Sequence, residues 1–130
     1  MLVVDASCLF EVVADTPRAE SIRHRLLDDE DHIAPHVIDA EVSAVVRRLH
    51  LAGRLDATAA AQAVEDLRDW PGERVGHQPL LARAWGLRHG VRTWDALYVA
   101  LAEVTEAVLV TTDARLAAAP GPTCEIEVLA

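Results

Sequence analysis

The sequence predicts an α/β fold in three layers, a central parallel sheet with helices on both faces. Three observations point there. Short apolar, β-branched runs are separated by amphipathic helical stretches along the chain, the pattern of strands joined by helices. The segment Trp94–Thr105 is helical in period and apolar nearly all round, which marks a helix buried on every side. At 130 residues, just over half of them hydrophobic, the chain can build one domain (residues 1–130) with a proper core, and it has no repeat, low-complexity tract or long linker.

The elements follow in order. Leu2–Val4 reads as a buried strand, and Ser7 is placed to cap a helix reaching about Ala14. Thr16–Asp28 reads as an amphipathic helix, and His32–Ala34 as a short strand ended by Pro35. His36–Leu51 has strong helical periodicity and stops near Gly53, while alanine-rich Asp56–Trp70 opens on a capping residue and ends at Pro71–Gly72. Glu73–Gly76 is a further strand. Pro79–His89 is a helix with an early proline and Gly90 at its end. After Trp94–Thr105 come the strand Ala107–Val110, a short helix Asp113–Ala119, the stop PGP at 120–122 and an alternating strand Glu125–Leu129.

Composition removes several functions. All twelve basic residues are arginine, so Schiff-base chemistry, a P-loop lysine and the lysine of phosphoacceptor receiver domains are excluded. A formal charge of −9 argues against a nucleic-acid coat protein but not against a nuclease, whose phosphate contacts are local. Cys8 and Cys124 form no metal-type pair and read as small, buried, reduced thiols, and Pro35 separates His32 from His36 on any shared helical face. No apolar run approaches the roughly 20 residues that span a bilayer. The start, MLVVDASCLFEVV, lacks a basic leader and carries two acids, so a cytoplasmic protein without membrane association is expected.

Four carboxylates carry the functional argument. Asp5 follows the first strand and Asp113 a late one, and in a parallel sheet those carboxyl ends share the edge where open α/β folds form their crevice. Each acid is equally well placed to cap the helix that follows. Glu41 has Val37, Ile38, Ala44 and Val45 as helical neighbours, which sets a carboxylate in an apolar stripe. Unpartnered, that burial costs several kcal/mol as an order of magnitude, so Glu41 needs a cation, a proton or a hydrogen-bond network, and Arg48 is one available partner. Asp95 stands before seven residues whose only polar side-chain atom is the hydroxyl of Tyr98. It is either a helix-start acid or a fourth member of the set. Converging acids repel one another unless a cation neutralises them, and hard oxygen donors suit Mg²⁺ or Mn²⁺. The chemistry such a set permits is metal-assisted hydrolysis of a phosphodiester. Asp5 and Asp95 are expected to hold the ion, Asp113 to bind it or a second ion, and Glu41 to orient or deprotonate the attacking water. Ser7 and Thr111, two residues from Asp5 and Asp113, supply hydroxyls that can bond those carboxylates or a metal-bound water, or serve as helix cap and strand filler.

VVDAS at 3–7, Glu41 within APHVIDAEV, TWDALYVALAE at 93–103 and VTTDARL at 110–116 together resemble the PIN-domain ribonucleases, and among them the VapC toxins of bacterial toxin–antitoxin pairs. The first motif alone is weak; the four in order, over essentially the whole chain, are specific. The resemblance implies a PIN-like domain with its acids at Asp5, Glu41, Asp95 and Asp113, and its supporting hydroxyls at Ser7 and Thr111. It implies Mg²⁺- or Mn²⁺-dependent cleavage of RNA, often tRNA or rRNA. It also implies a homodimer and a small VapB-like antitoxin that binds DNA, so that DNA is reached only through the antitoxin. One departure is that no acid follows Asp113 in ARLAAA, where some PIN domains carry another, which leaves a second ion without that ligand.

A receiver domain is excluded by the missing lysine, and a haloacid-dehalogenase-like phosphatase wants an acid where Ser7 stands. The remaining alternative is a catalytically weak PIN fold that binds RNA or protein, although a binding module has no need of clustered negative charge. RNA approaching carboxylates needs cations at the rim, and Arg92 and Arg115 are the candidates, with Arg88 behind them. Leu9, Phe10, Val12 and Val13, with Val45, Val46 and Leu49, offer apolar area for an amphipathic partner helix or are ordinary core.

Overall fold

The computed structural model describes all 130 residues. Five strands, β1 (Leu2–Val4), β2 (His32–Pro35), β3 (Glu73–Val75), β4 (Val108–Thr111) and β5 (Ile126–Val128), form one sheet of order β3-β2-β1-β4-β5, parallel throughout. β1 lies in the middle because it is the most apolar run, and all three of its residues are buried. In register, Val3 stands against Ile33 on one side and Leu109 on the other.

Seven α-helices connect the strands: α1 (Ala6–Val13), α2 (Ala19–Leu26), α3 (Val37–Leu51), α4 (Ala57–Asp69), α5 (Leu81–Gly86), α6 (Thr93–Thr105) and α7 (Ala114–Ala118). From β1 outward through β2 to β3 the path runs one way, and right-handed crossovers put α1–α4 on one face. Between β3 and β4 the path jumps back across β2 and β1, which puts α5 and α6 on the other face. The packing agrees: α1 meets α2, α3 and α4, whereas α6 meets α5, β1, β2 and β4. The expected three-layer arrangement is the one observed.

Thirty-three buried side chains form one core cluster. All seven residues Ala96–Ala102 of α6 are buried, which explains why that helix has no polar stripe. Arg74 closes the α4–β3 loop with every donor used. It forks onto both oxygens of Asp39 at 3.1 and 2.9 Å, donates to the carbonyls of Leu67, Trp70 and Gly72, and lies over the Trp70 ring. No helix is long and apolar enough to cross a membrane.

Several boundaries differ from expectation, each for a local reason. The first helix begins at Ala6 with Asp5 at its N-cap position, so Ser7 lies inside the first turn and is not the cap. The second helix is confined to Ala19–Leu26; a turn at Pro17–Arg18 precedes it. The second strand does not stop at Ala34 but includes Pro35 as its last residue, in register with Val75 of the outer strand β3. The Pro79–His89 segment is a 3-10 turn, Gln78–Leu80, followed by a helix that stops at Gly86.

Candidate active site

The reversal of strand order lies between β1 and β4, and the crevice of an open parallel sheet forms outside the carboxyl ends of the strands at such a point. Asp5 follows β1 directly. Thr111 ends β4, and Asp113 follows two residues later. A cleft of about 540 Å³ opens here, with Asp5, Glu41, Asp95 and Asp113 all on its walls. The four acids that the sequence singles out, spread over 108 residue positions, are thus brought to one concavity.

Asp5 is the innermost, 6 % exposed. It occupies the N-cap position of α1 without a side-chain cap hydrogen bond, and the backbone N–H groups of Ala6 and Ser7 only help to lower its carboxyl. Instead Oδ2 accepts two hydroxyls, from Ser7 at 2.6 Å and from Thr111 at 2.8 Å. Those hydroxyls lie 3.3 Å apart, and each also accepts a backbone N–H, Ser7 from Thr112 and Thr111 from Asp113. The network ties the turn after β1 to the turn after β4. Burial raises the Asp5 carboxyl above its ordinary value, and the two hydroxyls oppose that shift.

Glu41 lies half-buried on α3. Its partner is not Arg48, which lines the same cleft, but Tyr98, whose fully buried phenol donates to Oε1 at 2.9 Å. Burial pushes Glu41 up to about 7; the Tyr98 bond works against the shift, and the charges of Asp5 and Asp95 add to it. Within α3, Val42, Ile38 and Val46 face the core, while Glu41, Ala44 and Val45 face the cleft. The apolar neighbours of Glu41 are therefore partly cleft wall.

Asp95 is the acid of the first turn of α6, where it suits the helix dipole, and it also lines the cleft. Burial raises its carboxyl, with the charges of Asp5 and Asp113 adding and Arg92 and Arg115 opposing. Asp113 does act as a cap: its Oδ1 accepts the Arg115 N–H of α7 at 2.9 Å, and the Arg115 guanidinium is 3.4 Å away. Burial works against its charge, but the Arg115 backbone and guanidinium together outweigh it and hold the carboxyl below the ordinary range.

The donors facing the cleft are all oxygen, and three of the four carry a raised carboxyl because they are desolvated or crowd one another. Such a donor set fits a hard divalent cation better than a soft one. No three carboxylate, imidazole or thiol groups stand close enough together to hold one ion between them. The four acids are instead spread around the cleft wall, so an ion there would be held by one or two of them and by water. Arg92 is on that wall, and Arg115 borders an adjoining depression with Asp95 and Asp113. Arg88 lies farther off, over the Trp85 ring. Of the apolar candidates for a partner helix, Leu9, Val13 and Val46 are core, whereas Phe10 and Val45 face the cleft. Tyr98 went unassigned in the sequence, although a tyrosine in an otherwise apolar buried helix must find a partner for its hydroxyl.

A family model described as "PIN domain" matches residues 2–122. Ribonuclease VapC3 of Mycobacterium tuberculosis is 44 % identical over 119 residues, covering 91 % of this chain and 86 % of its own. Ribonuclease VapC1 of the same organism is 39 % identical over 128 residues, covering 98 % and 96 %. Among solved structures, VapBC2 from Rickettsia felis, bound to a DNA fragment from its promoter, superposes with a TM-score of 0.72 at 13 % identity, covering 99 % of this chain and 98 % of that one.

Proposed function

We propose, because this chain belongs to the PIN-domain family and within it to the VapC ribonucleases, that it is a Mg²⁺- or Mn²⁺-dependent endoribonuclease, the toxin of a type II toxin–antitoxin pair. The observation that supports this most is the placing of Asp5, Glu41, Asp95 and Asp113 around one cleft at the switch point of the sheet.

Asp5 and Asp95 would hold the ion, with Asp113 beside them or on a second ion. A bound divalent ion supplies Lewis-acid polarisation of the scissile phosphate and makes water a better nucleophile at neutral pH. The protein's own groups do the rest. Ser7 and Thr111 stabilise the Asp5 carboxylate and fix its orientation through Oδ2. Tyr98 holds Oε1 of Glu41, which leaves Oε2 to take a proton from the attacking water; a carboxyl near 7 is well matched to that task. Arg92 and Arg115 meet the phosphates at the rim.

The substrate is RNA, with tRNA or rRNA the classes to test, and the protein acts in the cytosol as a homodimer. A VapB-like antitoxin is the partner, and DNA is reached only through it. Phe10 and Val45 give an antitoxin helix apolar ground on the cleft wall, so binding there would cover the acids. The test is incubation of purified, antitoxin-free protein with total cellular RNA. Cutting that requires Mg²⁺ or Mn²⁺ and stops with EDTA is expected; folded protein that cuts with neither ion overturns the proposal.

A further inference from the structure

Acids outnumber arginines by 21 to 12, yet Arg47, Arg48, Arg54, Arg88 and Arg92 have no carboxylate within 4.0 Å. Three of these five border one connected surface. Arg48 and Arg92 are on the acid cleft. Arg92 also borders the depression that holds Asp95, Asp113 and Arg115, and it borders a third groove of about 190 Å³ that runs past Trp85, Arg88 and Val91. In an acidic protein, arginines left without acidic partners along one track suit an anionic chain.

The third groove adds an aromatic element. Trp85 on α5 is 69 % exposed even though the Arg88 guanidinium lies 4.7 Å from its ring centroid, so much of the ring remains in water. Arg88 also donates to the Trp85 carbonyl at 3.0 Å, which pins the pair together. An exposed indole backed by a guanidinium is a surface on which a nucleobase can stack.

We propose, on the reading that this chain cuts RNA, that the groove between α5 and the head of α6 is a subsite for an unpaired nucleotide next to the scissile bond. The Trp85–Arg88 pair stacks the base, and Arg92 holds the phosphate that joins this nucleotide to the one at the acid cleft. Duplex RNA keeps its bases stacked within the helix and does not fill the site, so the subsite favours single strands.

The test is fluorescence anisotropy with a short fluorescein-labelled single-stranded RNA on the Asp5→Asn protein, alone and combined with Trp85→Ala, Trp85→Phe or Arg92→Ala. Steady-state cleavage of the same RNA is measured with the single variants at Trp85. Trp85→Ala is expected to weaken binding about ten-fold or more, with Trp85→Phe recovering most of it and duplex RNA showing no difference. Arg92→Ala is expected to reduce the slope of log affinity against log salt by about one. In cleavage, Trp85→Ala raises KM and leaves kcat nearly unchanged. The proposal is overturned by absence of RNA binding to Asp5→Asn, by a Trp85→Ala effect within two-fold, or by sedimentation showing that Trp85→Ala splits a dimer, which would make this face a contact between copies. Trp85-dependent binding without any metal-dependent cutting by the unmodified protein would overturn the nuclease reading and leave the subsite standing.

Discussion

Tyr98 donates the hydrogen bond that fixes Glu41, and Thr111 donates one of the two that fix Asp5, so each inner acid depends on a hydroxyl that no water reaches. Thr111→Val keeps the shape of the residue and deletes that donor. It is expected to cost about 1–3 kcal/mol of stability, as hydrogen bonds to charged groups do, and to weaken metal affinity about 10- to 100-fold. Thermal melts and calorimetric Mn²⁺ titration read the two effects, and an unchanged affinity would show that the hydroxyl does not support an ion site. Glu41 gives a pH signature of definite sign. Its carboxyl ionises near 7 in the folded protein against an ordinary value of 4.5, so the proton is held longer in the folded state. The stability this contributes is fully present below about 4.5 and is lost as the pH rises through about 7. With part of the side chain in water, the loss is on the order of 1–2 kcal/mol. Melts in EDTA should therefore fall across that window, and Glu41→Gln should flatten the fall; an equally steep fall in the variant would contradict the assignment. Cys8, fully buried, has its thiol pushed up to about 12 by burial and by the charges of Asp5 and Glu11, and should resist alkylation in the native protein at pH 8. The sequence offers the Thr111 hydroxyl to the carboxylates but not its reach across 106 residues to Asp5, and it gives no sign of the Tyr98–Glu41 pair, 57 residues apart. Spacing shows which acids lack an excuse for burial but not which donors meet them.

Helix α6 carries Asp95 in its first turn, and Gly90, three residues before that helix, packs against Pro120 at the rim of the depression that Asp95 also lines. A Cβ at Gly90 would stand 2.7 Å from the Pro120 carbonyl oxygen and 2.9 Å from the Pro120 Cγ, closer than real contacts allow. Gly90→Ala is expected to cost about 1–3 kcal/mol and to reduce cleavage more than an exposed change such as Arg54→Ala. Differential scanning calorimetry with a parallel cleavage assay checks this, and a fully stable, fully active variant would show that the approach is loose. The strands and most helices were legible because hydrophobic period and punctuation agree with the packing; β1, α3, α4 and α6 lie within about two residues of their expected bounds. Asp56 caps α4 through the Ala59 N–H at 2.8 Å, as its position suggested. Elsewhere local signals compete. Ser7 has the chemistry of a cap, but Asp5 takes that backbone position, and the Ser7 hydroxyl is more useful on the carboxylate. Gly90 read as a helix stop, whereas α5 already ends at Gly86 and the role of Gly90 is close packing.

Across the molecule, the order β3-β2-β1-β4-β5 is what turns four acids remote in sequence into one cleft, since it places β1 and β4 side by side at the reversal. The sequence indicated a parallel sheet but not this order, because strand adjacency depends on crossovers that leave no periodic trace. The same limit applies to charge. Twelve arginines against 21 acids predict only an acidic protein, and the sorting of arginines into paired and unpaired sets emerges when distances are known. We propose that Asp5, Glu41, Asp95 and Asp113 act as one cation-dependent RNA-cutting site. The most direct measurement is Mn²⁺-supported cleavage of RNA by the four single variants Asp5→Asn, Glu41→Gln, Asp95→Asn and Asp113→Asn, with circular dichroism confirming that each is folded. All four folded variants should lose at least about a hundred-fold in rate, on the order expected when an electrostatic or acid–base group is removed from a catalytic site. A folded Asp5→Asn or Asp95→Asn protein that cuts at the unmodified rate would contradict the account.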